Sequence, residues 1–192
     1  MAGKRFASRC SFSGKLWFFE PFATMLIRSA TAPDAPVIAQ VHVESWQHAY
    51  RDCLPFDYLA NLSVDARCKM WQGAIAKGAP RVWVADVDGK IAGFVAIGPS
   101  RDEGALPDAF EVWAIYLAPA YWGQGVGREL MQTAREFCVQ SAASSVSLWV
   151  IVGNQRAIGF YRSLGFEAQP DSVCRFELGG ASLQEMRYVL SF

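Results

Sequence analysis

Residues 110–130, FEVWAIYLAPAYWGQGVGREL, constrain the fold more than any other stretch of the chain. The apolar, aromatic run 110–119 reads as a strand that closes at Pro119. Three glycines, Gly123, Gly125 and Gly127, then lead straight into helix-forming residues. Strand, glycine turn and helix in succession call for an α/β arrangement. They also make an anion site, because the unpaired N–H groups of the turn and the helix dipole point the same way. Glycine lets the backbone approach such a ligand with no Cβ in between. A tight strand-to-helix turn without a ligand is the plain alternative.

The flanking segments fill in the order. MLIRSAT, from Met25, reads as a strand, and Ile38, Val41, Ser45 and Ala49 recur at helical spacing from Val37 to about Tyr50. Residues 51–63 form a loop with a short turn, after which Ser63 caps a helix through about Lys77. RVWVADVDGKIAGFVAIG is a hairpin about Asp88-Gly89, followed by a polar loop over 99–109. Beyond the glycines, Val126, Leu130, Met131, Ala134, Phe137 and Cys138 line one helix stripe. A strand (SSVSLWVIV), a helix with Asn154 at its N-cap and Gly165 just past its end, and a closing antiparallel pair complete the chain. The order β-α-α-β-β-β-α-β-α-β-β predicts an α/β fold. Its central sheet is mixed and mostly antiparallel, with six or seven strands and helices on both faces.

Composition narrows the function classes. The 18 basic and 18 acidic residues balance, so no bulk charge points to nucleic acid or an acidic membrane. No apolar run is long enough to suggest a membrane span. Five scattered cysteines without a CxxC fit reduced thiols and a cytoplasmic protein. His42 and His48 fall on different faces of a helix, so no metal site is expected. Residues 1–24 are basic and Ser-rich with no acid until Glu20, and they lack the apolar core of a secretory signal. They read as an extension outside the folded domain, left by an upstream start codon or added to it, with a transit peptide as the alternative. Residues 25–192 form one domain.

Two familiar phosphate loops fail. A GxGxxG fingerprint beginning at Gly123 would need glycine where Arg128 stands, and it belongs at the first βα turn of a dinucleotide-binding oxidoreductase. A Walker A loop needs GK[ST], and here the sequence is GRE. YLAPAYWGQGVGRELM instead resembles the pyrophosphate-binding segment of the GCN5-related N-acetyltransferase (GNAT) superfamily, written [RQ]-x-x-G-x-[GA], with Trp122, Gly125 and Gly127 in the key positions. NQRAIGFYRSLGF is similar to that superfamily's second signature at Asn154, Ala157, Phe160, Tyr161, Gly165 and Phe166. The likeness runs from Met25 to the C-terminus. It departs at Trp122, where the family has Arg or Gln; backbone amides make most of the anion contacts.

The resemblance implies acetyl-CoA as co-substrate and a primary amine as acceptor. It implies a bulge in the strand before the loop and splaying between the fourth and fifth strands. The pantetheine arm then pairs with Ile115, Tyr116 and Leu117, the pyrophosphate meets amides from Gln124, Gly125, Val126, Gly127 and Arg128, and Trp122 and Gly123 complete the cofactor-binding segment. Asn154 contacts the arm as well as capping its helix. Tyr161 sits where the family places a phenol near the departing sulfur, and Glu111 where it often carries a catalytic or water-relaying carboxylate. Without the resemblance, Tyr161 is core packing and Glu111 a solvated acid at a strand end. Trp46, Tyr50 and Arg51, from the first helix and the following loop, are the expected acceptor-binding residues. Aromatics there suit a small amine such as an amino acid or polyamine. The 99–109 loop, with Asp102, Glu103 and Asp108, is expected to add acidic attraction. Rival readings are a non-catalytic CoA-binding domain and acetylation of a peptide or protein amine. A homodimer through the C-terminal strands stays open.

Overall fold

The computed structural model describes residues 24–192. Apart from Thr24, the extension expected over residues 1–24 lies outside them. Seven strands form one sheet: β1 (Met25–Ser29), β2 (Arg81–Val87), β3 (Lys90–Pro99), β4 (Ala109–Leu117), β5 (Ser145–Ile151), β6 (Glu167–Leu178) and β7 (Ala181–Ser191). Their spatial order is β1-β2-β3-β4-β5-β7-β6. Every pairing is antiparallel except that of β4 with β5. The helices are α1 (Ala35–Ala49), α2 (Phe56–Ala60), α3 (Val64–Lys77), α4 (Val126–Gln140) and α5 (Gln155–Ser163). The mixed, helix-flanked sheet is the expected one. The difference is α2, a single short helix within the segment expected to be a loop.

Local chemistry sets the boundaries. Asp88 and Gly89 join β2 to β3 with φ of 50° and 79°, the paired positive values that a two-residue hairpin turn needs. Ser63 accepts from Ala66 N–H at 3.1 Å to start α3, and Asn154 accepts from Ala157 N–H at 3.1 Å to start α5. Gly165, at φ 89°, reverses the chain after α5.

The alternation of β2, β3 and β4 divides the core. Val84, Phe94, Ala96 and Ala114 face α1 and α3, packing on Ile38, Ala39 and Trp71. Ala85, Val95, Ile97 and Val112 face the other way, against Leu130, Met131, Ala134 and Cys138 of α4 and Ile158 of α5. Leu130 and Ile97 are fully buried, and each large apolar side chain of this kind stabilises the fold by about 1.5–3 kcal/mol. No described helix is long and apolar enough to cross a membrane.

Two irregularities matter for the site. Ala96 pairs with Ala114 and Ile97 with Val112, so Trp113 is an extra residue, a bulge in β4. β4 and β5 pair only from Ala109 to Glu111 against Ser145 to Ser147. Beyond that point the two strands part, and the sheet opens as a V.

Candidate active site

The V leads into a slot of about 600 Å³ between β4 and β5, closed at one end by the glycine turn and α5. Trp113, Ala114, Ile115, Tyr116 and Leu117 form one wall, and Leu148, Trp149 and Val150 the other. Neither wall has a strand partner across the gap, so the slot edge of β4 lies open to an extended ligand, apart from the Leu117 carbonyl, which accepts from Trp122.

At the closed end the turn is shaped for an anion. Gly123 and Gly125 have φ of 76° and 86°, and a Cβ on either would meet nothing within 4 Å. The N–H groups of Gly123 through Gly127 find no acceptor among the described residues, and they surround the start of α4. Arg128 N–H differs: it donates to the Gly125 carbonyl at 2.9 Å. Gly127 is small for a second reason, since a Cβ there would lie 3.3 Å from Phe160.

Of the residues expected to hold the cofactor, Ile115, Tyr116, Leu117, Trp122, Gly123, Gly125, Gly127, Arg128 and Asn154 line the slot. Gln124 and Val126 do not. The Gln124 side chain donates to the Ala120 carbonyl at 2.6 Å, and Val126 is buried in the core beneath α4. Trp122 is anchored, its Nε1–H donating to the Leu117 carbonyl at 3.0 Å.

Tyr161 lines the slot beside Phe160 and is 9% exposed. Burial raises its phenol well above the ordinary value, and nearby Tyr116 adds to the rise. Tyr116 and Tyr50 are raised as well, in each case chiefly by burial. Three protonated phenols therefore line the slot at neutral pH.

The expected acceptor residues separate. Tyr50 lines the slot. Trp46 stands behind it, edge-on to Tyr50 at 5.1 Å and to Tyr116 at 6.3 Å. Arg51 does not reach the slot: its side chain is 70% exposed, 3.6 Å from Asp52. His42 is buried behind Tyr116, stacked at 4.7 Å, with Nδ1 accepting from Trp71 Nε1 at 3.2 Å. Burial and, secondarily, Arg67 lower its pKa to about 3, so the ring is neutral.

Glu111 is 2% exposed and occupies the last paired position before the strands part. It does not line the slot. Oε2 accepts from the backbone N–H and Nε of Arg101 at 3.0 and 3.1 Å, and Oε1 from the Arg101 NH2 group. The Arg101 guanidinium also lies over Trp113, 4.6 Å from the ring centre. Asp102 next door is likewise engaged, accepting from Trp149 Nε1 and from Arg187, both at 2.9 Å. Both oxygens of this loop acid are thus engaged in tying strands together.

The sequence reading missed Trp113, Trp149 and Arg156 as slot residues. A signal existed for the two tryptophans, which stand in the strands that part. None existed for Arg156 without knowing where α5 begins in space.

The comparisons agree with this architecture. The chain is 37% identical over 161 residues to YuaI, an uncharacterized N-acetyltransferase of Bacillus subtilis, spanning 83% of this chain and 89% of that protein. It is 31% identical over 152 residues to the peptidyl-lysine N-acetyltransferase YiaC of Escherichia coli, spanning 73% and 82%. The crystal structure of PaiA N-acetyltransferase from Thermoplasma acidophilum, in complex with coenzyme A, superposes with a TM-score of 0.71 at 17% identity, over 88% of this chain and 99% of that one. The model of the acetyltransferase (GNAT) family matches residues 39–166. Strand order, parted strands and sequence converge: the chain belongs to the GNAT family and is an N-acetyltransferase.

Proposed function

We propose that the protein transfers the acetyl group of acetyl-CoA to the primary amine of a small molecule, an amino acid, a polyamine or a similar compound. The observation that carries the reading is the slot itself: an unpaired strand edge leading to unpaired amides at a helix N-terminus. When bound, acetyl-CoA supplies an activated thioester carbonyl and a thiol leaving group.

The residues divide the work. Ile115 and Leu117 offer backbone groups to the pantetheine arm as a neighbouring strand would, while those of Tyr116 face Phe94 on β3. The amides from Gly123 to Gly127 and the α4 dipole hold phosphate charge. Asn154 caps α5 and presents its amide N–H to the arm. The bulge at Trp113 turns main-chain groups into the slot, where an N–H stabilises the developing oxyanion. Tyr161 is kept protonated by burial and donates its proton toward the departing sulfur.

The acceptor side poses its own problem. An alkyl amine with pKa ~10.4 is neutral only about one part in a thousand near pH 7. Among the described residues, neither a carboxylate nor an imidazole lines the slot. The ammonium proton therefore leaves through water, and Tyr50 and Trp46 shape the acceptor cavity; Glu111, both of whose oxygens are held by Arg101, braces the fork beside it. A second reading, acetylation of a lysine side chain in a peptide or protein, draws support from the name of the YiaC relative.

Calorimetric titration of acetyl-CoA tests the first half. Micromolar binding is expected, lost when Gly125→Trp fills the space above the turn. Thiol release against a panel of free amines and lysine peptides tests the second. Turnover with free amines supports the proposal, turnover confined to peptides moves the acceptor to the second reading, and binding without any turnover points to a non-catalytic CoA-binding domain. A wild type that binds no acetyl-CoA overturns the proposal.

A further inference from the structure

The slot's charge is one-sided. Among the described residues, Arg128 and Arg156 are the only lining residues that carry a full charge at neutral pH, and both sit at the end with the glycine turn. Arg128 is tied back, its NH2 donating to Ser163 Oγ at 3.3 Å. Arg156 has no carboxylate partner among the described residues. Its guanidinium lies over the Trp122 ring instead, 4.5 Å from the ring centre. That ring is a fixed platform, pinned by the bond from Nε1 to the Leu117 carbonyl and flanked edge-on by His48 at 6.3 Å.

Two physical points make this arrangement informative. Stacking uses the face of a guanidinium and leaves its N–H edge free for planar contacts, the geometry that suits phosphate oxygens. Arg156 is also the second residue of α5, at the positive end of that helix's dipole. A cation is disfavoured there unless an anion joins it. The ring that holds Arg156 in this place immediately precedes Gly123 and the unpaired amides of the turn.

We propose that Trp122 and Arg156 form a two-residue phosphate clamp: Trp122 is the platform, and Arg156 is the cation that grips the pyrophosphate of the bound coenzyme. The inference rests on the acetyl-CoA reading and adds a binding residue to it. In the clamp, Trp122, in the turn before α4, positions a cation that arrives from the start of α5.

The test is calorimetric titration of the full-length protein with coenzyme A and with 3′-dephospho-coenzyme A, which keeps the pyrophosphate. Arg156→Ala is expected to weaken both ligands by the same factor, about tenfold or more, the loss typical of one charge-assisted contact. Arg156→Lys should fall between, because it keeps the charge and loses the planar stack. The salt dependence of binding should become shallower in Arg156→Ala. Trp122→Ala should add little once Arg156 is gone, since the ring acts through the arginine. Arg156 is exposed, so its variants are expected to keep the wild-type unfolding midpoint. Affinity within twofold of wild type in Arg156→Ala overturns the clamp and leaves the acetyl-CoA reading standing. A loss seen with coenzyme A and absent with the dephospho form overturns the pyrophosphate assignment. Failure of the wild type to bind either ligand overturns the parent reading, and the clamp with it.

Discussion

Tyr161 concentrates the chemistry expected of single residues. Burial alone does not make a phenol catalytic, but this one is buried, lines the slot, and has its pKa raised by desolvation and by Tyr116. A raised phenol pKa means that the proton-bearing form persists below it, so the donor stays loaded through neutral and mildly alkaline pH. Tyr161→Phe should lower kcat by about 10²–10⁴-fold while leaving the affinity for acetyl-CoA within severalfold of wild type. In the wild type, kcat/KM should climb with pH as the amine deprotonates and show no descending limb below pH ~10. Stopped thiol-release assays across pH check both. A descending limb near neutrality, or a loss of cofactor affinity equal to the loss of rate, would remove Tyr161 from the acid's role. Glu111 shows what a strand-end acid hides from sequence reading. Its partner Arg101 lies ten residues back across an irregular loop, and no periodicity encodes that contact.

Among elements, α5 does two jobs with one residue. Asn154 Oδ1 caps the helix, and the same side chain borders the slot. Asn154→Ala should cost about 1 kcal/mol, read as a melting midpoint lower by about 2–4 °C. Asn154→Asp keeps the cap and should recover the midpoint. It brings negative charge to a slot whose other charges are arginines, so acetyl-CoA affinity should stay below wild type. Equal recovery of both quantities would show that the cap is all Asn154 provides. Elements of this kind were legible in the sequence because their signals are local: Asn154 and Ser63 announce helix starts, Asp88-Gly89 a hairpin, and Gly165 a helix end. The glycine turn and the Asn-x-x-Ala helix were legible as a pair for the same reason. The bulge in β4 was expected only through the resemblance, and its position at Trp113 was not legible, because it is a property of register between two strands and is invisible in either one. Nor was the stack of Arg156 on Trp122, which joins side chains from separate elements.

At the scale of the whole molecule, the sheet is two half-sheets joined by three residue pairs between β4 and β5. The loop after β3 reinforces that narrow join. Arg101 reaches Glu111 on β4, and Asp102 holds Trp149 on β5 and Arg187 on β7. Asp102→Ala would leave the Trp149 N–H and the Arg187 cation unpaired in partly buried surroundings, at a cost of about 1–3 kcal/mol. Urea unfolding should show that loss with an unchanged slope, and amide exchange should quicken at the β4–β5 join more than at the β2–β3 hairpin. Uniform quickening would mean that the brace is not local. The parted strands carry one last consequence. A sheet ordinarily leaves its unsatisfied edge at the rim, where any other chain can dock on it and start an aggregate. Here such an edge lies in the interior, between two halves of one sheet and beneath flanking helices. Only something as thin as a single extended filament can reach it. The fold thereby turns a hazard of β-structure into a sieve whose mesh is one extended chain wide.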